Sequence, residues 1–461
     1  MGKMDKIFNE LEQIVGNRVR MNASDLCCYS ADASQIRGMP DFVLFPISVE
    51  EVSEIMKIAN KYNINVTARG AGTGLAGGAV PVKGGIVLDM TKMDKILKID
   101  IENLLVVVEP GVVQVDLNEA LKPYGFFFPP DPGSFATCTV GGQIANNASG
   151  MRCVKYGTVK NYVLNLEVIM ADGTLMNTGS ECQKTSSGYD LSRLFVGSEG
   201  TLGIITKATL KIMPIPECRK LVMVSFPSSE IAGKSVSTVF SAGVMPSACE
   251  ILDKTSVDVL LKLDPNVILP KDGDVIIFEV DGSKEAVDSA ADKLKETLTP
   301  FASSILVTDD PDEMKKIWAA RSLVGAAVSK LDPTKTRIYV GEDLGVPIKK
   351  LPEMIKKVYE VTDKEGLLPM IYGHIGDGTI HVGQFIDVLD QNDWDKLNRA
   401  ADALHLAAIE IGGTVSSEHG IGAARGKYLK TQCGNSFNAM KSIKNALDPK
   451  GILNPGKLGF D

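Results

Sequence analysis

Apolar and polar positions along this chain switch between a helical period and an alternating one, and the switches lay out the elements. Ser48-Val49-Glu50-Glu51 has the form of a capping box, and behind it Val52, Ile55, Met56 and Ala59 recur at helical spacing. A helix is predicted there, followed by a β-rich run over residues 64–68. Further strand-like runs cover 86–90, 104–108, 166–170 and 202–212, and Asp172-Gly173 between two such runs signals a hairpin. At Met213-Pro214-Ile215-Pro216-Glu217 turn residues mark a boundary; beyond it glycine thins and charged helices, such as 392–411, alternate with strands such as 275–280. The pattern predicts an α+β protein in three parts: 1–216, 217–415, and 416–461. The last is too short to fold alone and is expected to pack back on an earlier part.

Composition narrows the function. The 461 residues carry 49 Lys plus Arg against 57 Asp plus Glu, a formal charge of -8, with 44% hydrophobic and 23% charged positions. That is an ordinary folded composition with no cationic stripe, so nucleic acid is not an expected partner. The eight Cys (27, 28, 138, 153, 182, 218, 249, 433) contain no C-x-x-C. Their spacing suits neither a zinc nor an iron–sulfur cluster, and they read as reduced thiols of a cytoplasmic protein. Residues 1–20 lack the apolar core of a signal peptide, and no apolar run approaches the roughly 18 residues that suggest a membrane span. No membrane insertion is expected.

Glycine is unevenly placed: seven of the sixteen residues from 70 to 85 are Gly. Within Arg69-Gly70-Ala71-Gly72-Thr73-Gly74-Leu75-Ala76-Gly77 stands a literal G-x-G-x-x-G, with Asp94 twenty residues beyond Gly74, but Pro81, Gly84 and Gly85 follow where a dinucleotide-binding turn must open a helix. Two readings stay open: a nest of backbone N–H groups for a pyrophosphate, or an ordinary tight loop. A second loop, Pro129-Pro130-Asp131-Pro132-Gly133-Ser134, leads into Thr139-Val140-Gly141-Gly142-Gln143-Ile144-Ala145-Asn146-Asn147. A third, Gly197-Ser198-Glu199-Gly200-Thr201-Leu202-Gly203-Ile204-Ile205, enters a β-branched run.

In this order and at these separations the loops resemble the FAD-binding domain of the vanillyl-alcohol oxidase (PCMH-type) flavoprotein superfamily. The branch they are most similar to contains the glycolate oxidase flavoprotein subunit and FAD-linked D-lactate and D-2-hydroxyglutarate dehydrogenases. The likeness runs from Val43 to Gly459. It implies a PCMH-type FAD domain with an α+β substrate (cap) domain, the chain's last segment returning to the FAD domain. It also implies that Arg69, Gly70, Ala71, Gly72, Thr73 and Gly74 hold the pyrophosphate. Pro130, Asp131, Gly133, Ser134, Gly141, Gly142, Ala145, Asn146 and Asn147 would line the isoalloxazine side. Glu199, Gly200, Gly203, Ile204 and Ile205 would line the adenosine side, with Asn454 and Lys457 returning from the tail. The first loop has no His for covalent attachment, while Cys138 and Cys153 lie near the second motif; non-covalent FAD is expected.

Three of the four His fall in two short motifs. In Gly373-His374-Ile375-Gly376-Asp377-Gly378-Thr379-Ile380-His381, a two-residue turn at Asp377-Gly378 would pair His374 with His381 on one face. Thirty-seven residues later, Ser416-Ser417-Glu418-His419-Gly420-Ile421-Gly422 adds a carboxylate and an imidazole. Two His and a carboxylate suit divalent iron, zinc or manganese, and a plain cross-strand His pair with a surface Glu suits the spacing as well. The resemblance selects the metal: by it His374, His381 and Glu418 are ligands, His419 is the catalytic base, and Arg321 of Trp318-Ala319-Ala320-Arg321 binds the substrate carboxylate. Thr379 and Gly383 depart from the branch, which has Asn at both. The activity implied is oxidation of a small 2-hydroxy acid, D-lactate first and glycolate or D-2-hydroxyglutarate next, with electrons leaving to an electron-transfer flavoprotein or another redox subunit. A non-catalytic FAD-binding relay subunit is the competing reading.

Overall fold

The computed structural model describes residues 2–460. The chain divides into two compact units, Met1–Ser149 with Thr158–Ile215 and Glu418–Asp461, and Gly150–Gly157 with Pro216–Ser417.

The first unit holds a four-stranded sheet, a five-stranded sheet and a two-stranded pair. Strands β1 (Val19–Arg20), β2 (Phe42–Leu44), β3 (Val66–Arg69) and β4 (Ile86–Asp89) stand in the order β1-β2-β4-β3, with β4 parallel to both β2 and β3. The predicted helix is Val49–Tyr62. Ser48 Oγ accepts the Glu51 N–H at 3.2 Å, and Asn63 ends the helix in the left-handed region at φ 53. Only half of the capping box forms, because the Glu51 carboxylate accepts the Ile47 N–H and pairs with Arg18. Val52, Ile55, Met56 and Ala59 are its buried face, packed with Ile7 and Leu11 of helix Lys3–Val15 and with Phe42, Leu44, Ile86 and Leu88.

The second sheet runs β5 (Ile96–Asp100), β6 (Leu105–Val108), β10 (Ile204–Lys211), β8 (Val163–Ile169), β9 (Leu175–Asn177), all antiparallel. β7 (Phe126–Phe127) and β11 (Met213–Pro214) form a separate pair. The β8–β9 hairpin closes through Ala171-Asp172-Gly173, with Met170 N–H donating to Thr174 O at 2.9 Å and Gly173 at φ 87. A three-residue hairpin loop needs that left-handed residue at its end.

The second unit is one eight-stranded antiparallel sheet. Its strands are β12 (Cys218–Phe226), β13 (Ala248–Leu252), β14 (Asp274–Gly282), β15 (Ser304–Thr308), β16 (Thr336–Ile338), β17 (Asp343–Gly345), β18 (Met370–Gly373) and β19 (Thr379–Ile386). The order is β15-β12-β14-β13-β18-β19-β16, with β17 also pairing β19. Helices Ser229–Ser241, Lys284–Leu298, Leu351–Glu365 and Gln391–Glu410 bury one face through Val236, Leu294, Val358 and Leu404. Helices Lys254–Leu263 and Pro311–Leu331 pack on the other through Val257, Leu260, Ile317 and Val324, against Leu252, Ile277 and Met370. Successive strand residues point to opposite faces, so Glu250, Glu279, Tyr372 and His381 share this second face with those apolar residues. Glu250 and Glu279 are buried carboxylates on it.

Asp253, fully buried at the start of helix Lys254–Leu263, accepts the Ser256 N–H at 2.8 Å and the Tyr359 hydroxyl at 2.9 Å. Burial pushes its carboxyl up to about 6, against the hydrogen bonds that favour the charge. A folded-state pKa raised above the unfolded value, about 4, means that the folded chain holds the proton longer, so this group's stabilisation is lost as pH rises from about 4 through 6. Asp253→Asn is therefore expected to gain on the wild type by up to about 3 kcal/mol between pH 4 and pH 7.5. Urea midpoints at the two pH values check it; equal gaps between variant and wild type would refute it.

Candidate active site

In the first unit β3 delivers the chain into residues 70–85, which run as loop to β4 with no helix. The dinucleotide-fold reading of the glycines therefore fails on geometry. From Ala71 to Ala79 no backbone N–H donates to an acceptor of the described residues, while Gly72 and Gly77 turn the chain at φ 69 and 76. Backbone donors gathered on one loop form an anion nest, and they fit a pyrophosphate. Arg69 braces the loop: its guanidinium donates to Ala31 O at 2.7 Å and lies 5.3 Å above the Tyr29 ring.

The second motif sits against this loop. A Cβ at Gly70 would meet Thr139 Oγ1 at 2.2 Å, and Thr139 in turn caps helix Val140–Asn146 by accepting the Gly142 N–H. Gly141 lets that helix approach Pro110, whose carbonyl accepts its N–H at 2.8 Å. Gln114 Nε2 donates to Pro130 O, holding the proline-rich loop that continues through Asp131, Gly133 and Ser134. Ala145 O accepts the Glu199 N–H at 2.8 Å. The buried Glu199 carboxylate takes the Ile421 and Gly422 N–H groups at 2.7 Å each; burial raises its pKa, and those donors oppose the rise. Asn454 Nδ2 bridges Glu199 O and Gly78 O, and Lys457 Nζ donates to Val80 O. Gly200 turns at φ 70, and Gly203, just ahead of β10, leaves room for Val168; Ile204 and Ile205 follow, buried in the clusters on opposite faces. Three of the six non-glycine residues with positive φ among those described, Asn147, Glu199 and Asn454, lie in these loops. Strain of this kind persists where a site demands it.

In the second unit the predicted hairpin exists in a different register. Tyr372 pairs with His381 and Met370 with Gly383, and the chain reverses through a 3₁₀ turn at Ile375–Asp377 with Gly378 at φ 90. His374 is thus two residues off the predicted partner. An even shift keeps side chains on the same face, and diagonal neighbours still meet: the two imidazoles stand 5.3 Å apart, edge to face, with nitrogens within 4.8 Å. Glu250 Oε1 lies 2.6 Å from His374 Nδ1, and its Oε2 takes Arg321 Nε and Nη2 at 2.9 and 2.7 Å. Arg321 is buried in the middle of helix Pro311–Leu331. Burial would raise the Glu250 pKa, but attraction to His374 and Arg321 outweighs it and holds the carboxyl below its usual range.

The order of a flavin-type loop cluster followed by this histidine sheet matches two family models. An FAD binding domain matches residues 40–179, and the C-terminal domain of FAD-linked oxidases matches residues 215–458. The chain belongs to the FAD-linked oxidase family. The glycolate oxidase subunit GlcD of Bacillus subtilis is 36% identical over 93% of this chain and 91% of its own. A D-lactate dehydrogenase of Archaeoglobus fulgidus is 36% identical over 92% of each. Among solved structures, p-cresol methylhydroxylase covers all of this chain at TM-score 0.84 and 18% identity, a likeness of fold.

Two residues of this FAD-linked oxidase, Glu250 and Arg337, were not anticipated as parts of the site, whereas Glu342-Asp343, ahead of Val346-Pro347, resembles a family motif beside the active site with no role derivable from the sequence. Glu250 sits in the apolar run Ala248-Cys249-Glu250-Ile251-Leu252, and a lone carboxylate in such a run was the available signal. Arg337 lies 5.0 Å from the Tyr372 ring and pairs with buried Glu342, whose Oε2 is 3.7 Å from His381 Nδ1. Asp343 accepts Ser416 Oγ and the Ser417 N–H at 2.6 and 3.1 Å. Thr379, one departure from the branch pattern, has its hydroxyl 2.5 Å from Ser417 Oγ; Gly383, the other, leaves room for the Tyr372 ring. Glu418 and His419, on the first unit's last segment, are joined to each other by Glu418 Oε1 and His419 Nε2 at 2.9 Å. His405 is a core residue, with Nδ1 2.7 Å from Ala401 O. Among the described residues no helix is long and apolar enough to cross a membrane.

Proposed function

We propose that this oxidase is an FAD-dependent dehydrogenase that converts a small 2-hydroxy acid, D-lactate first, to the 2-oxo acid and hands the electrons to a separate redox protein. The observation that carries the reading is a pair of buried imidazoles, His374 and His381, on the same sheet face as a buried arginine, Arg321. Such a pair suits a metal ion, and such a cation beside it suits a substrate carboxylate. When bound, FAD supplies the hydride acceptor, and a divalent iron, zinc or manganese lowers the pKa of the substrate hydroxyl.

The residues divide the remaining work. His374 and His381 would hold the ion, with Glu418 as the third ligand that the resemblance to the branch assigns. Arg321 orients the substrate through its carboxylate. His419 takes the hydroxyl proton: Glu418 can only accept, so His419 Nε2 carries a hydrogen and Nδ1 offers the lone pair. A monocarboxylate suits the charge balance, since Arg321 and Arg337 each already face a buried glutamate. Non-covalent FAD suits Cys138, whose thiol pKa burial pushes up, away from the reactive thiolate. With no cluster-type Cys spacing in the chain, the electrons need an outside acceptor, and an electron-transfer flavoprotein in the cytoplasm is the one we favour.

Dye-linked assays with D-lactate, L-lactate, glycolate and D-2-hydroxyglutarate test this. The highest kcat/KM is expected for D-lactate; a highest value for D-2-hydroxyglutarate overturns the monocarboxylate choice, and no turnover with any of them favours a relay subunit.

A further inference from the structure

Glu250 is fully buried on the central strand β13, and its two oxygens serve different partners of the same unit. Oε1 faces His374 Nδ1 at 2.6 Å, and Oε2 receives Arg321 Nε and Nη2 at 2.9 and 2.7 Å. We infer that Glu250 is the positioning residue of the substrate half of the site, one carboxylate fixing both the ligand nitrogen of His374 and the substrate-facing edge of Arg321. The inference rests on the functional reading above and extends it to a residue that touches neither hydride nor proton.

The chemistry of the contacts gives each half. An ionised carboxylate has no proton to give, so His374 Nδ1 must be the donor, and the lone pair is confined to Nε2. A ligating His is commonly held in its tautomer by such an outer partner, and losing the partner weakens metal binding about 10–100-fold. On the arginine, Glu250 occupies Nε and one side of Nη2, leaving Nη1 and the outer Nη2 N–H as a fork for a second carboxylate. The Tyr372 ring, 5.3 Å from the guanidinium, limits its rotation. The register neighbour of Glu250 on β14 is the apolar Ile277. Buried ion pairs seldom stabilise a fold more than apolar side chains of the same size, so orientation is what this carboxylate contributes.

The test uses the full chain with its FAD. Metal is stripped with a chelator and Co²⁺ is titrated back, followed by its visible ligand-field band, and KM and kcat for D-lactate are measured on the reloaded protein. Glu250→Gln keeps the size but offers one acceptor to two donors. It is expected to weaken Co²⁺ binding at least about tenfold and to raise KM about tenfold, while FAD content stays that of the wild type. Glu250→Asp keeps the charge and retracts it, and is expected to move both quantities in the same direction by less; it carries the test if the Gln variant does not fold. Wild-type Co²⁺ affinity and KM in either folded variant overturn the inference. A wild type that binds no Co²⁺, or a His374→Ala variant that binds it normally, overturns the metal reading itself, and the inference with it.

Discussion

Replacing His419 with alanine is expected to lower kcat for D-lactate by about 10³-fold, with KM within a few-fold of the wild type. General-base catalysis contributes about 10²–10⁴-fold, and no other imidazole is assigned to the hydroxyl proton: His374 and His381 are the proposed metal ligands, and His405 is bonded to Ala401 O in the helix layer. His419 stands beside Glu418 on a segment that Glu199 holds through the Ile421 and Gly422 N–H groups. Truncation at the β carbon leaves that anchorage in place, so FAD content is the control and should not change. Stopped-flow flavin reduction separates the chemical step from later electron transfer. A reduction rate within about threefold of the wild type removes His419 from the mechanism.

Arg321→Met is expected to act on binding and on stability together. Loss of the carboxylate fork should raise KM for D-lactate strongly and lower kcat/KM by about 10³-fold, most of it in KM. Glu250 would then remain buried beside His374 without its guanidinium, and breaking a buried pair by removing one side costs about 3–5 kcal/mol. Arg321→Lys separates the effects. It restores a charge next to Glu250 but not the planar fork, so stability should recover more than KM does. Urea midpoints and steady-state assays on the same preparations read both; an unchanged KM in Arg321→Met contradicts the assigned role.

What the sequence made legible was local. Helix Val49–Tyr62 follows from Ser48 and four apolar positions, all within one stretch of chain. The half of its box that failed did so because Arg18, far away in sequence, pairs with Glu51. The glycine loop showed its departure from a dinucleotide turn through Pro81 and the absence of helical spacing, which are also local features. The histidine hairpin was legible in its face and not in its register. Asp377-Gly378 looked like a two-residue turn, but Ile375–Asp377 coil into a 3₁₀ turn, and parity alone kept His374 beside His381. Glu250 and Arg337 had no local pattern to announce them. Glu250 meets His374 across 124 positions and Arg321 across 71, contacts that the sheet order creates. Glu342-Asp343 was legible through its resemblance to a family motif beside the active site, without a role; the antiparallel pairing of β17 with β19, which sets Asp343 opposite His381, gives the pair a setting.

The most direct measurement is the visible spectrum of the purified protein, recorded under anaerobic conditions before and after D-lactate is added. An oxidised flavin spectrum that bleaches on addition of D-lactate, and stays unchanged in the Arg321→Met variant at the same concentration, is the predicted result. A bound flavin that no 2-hydroxy acid bleaches would contradict it.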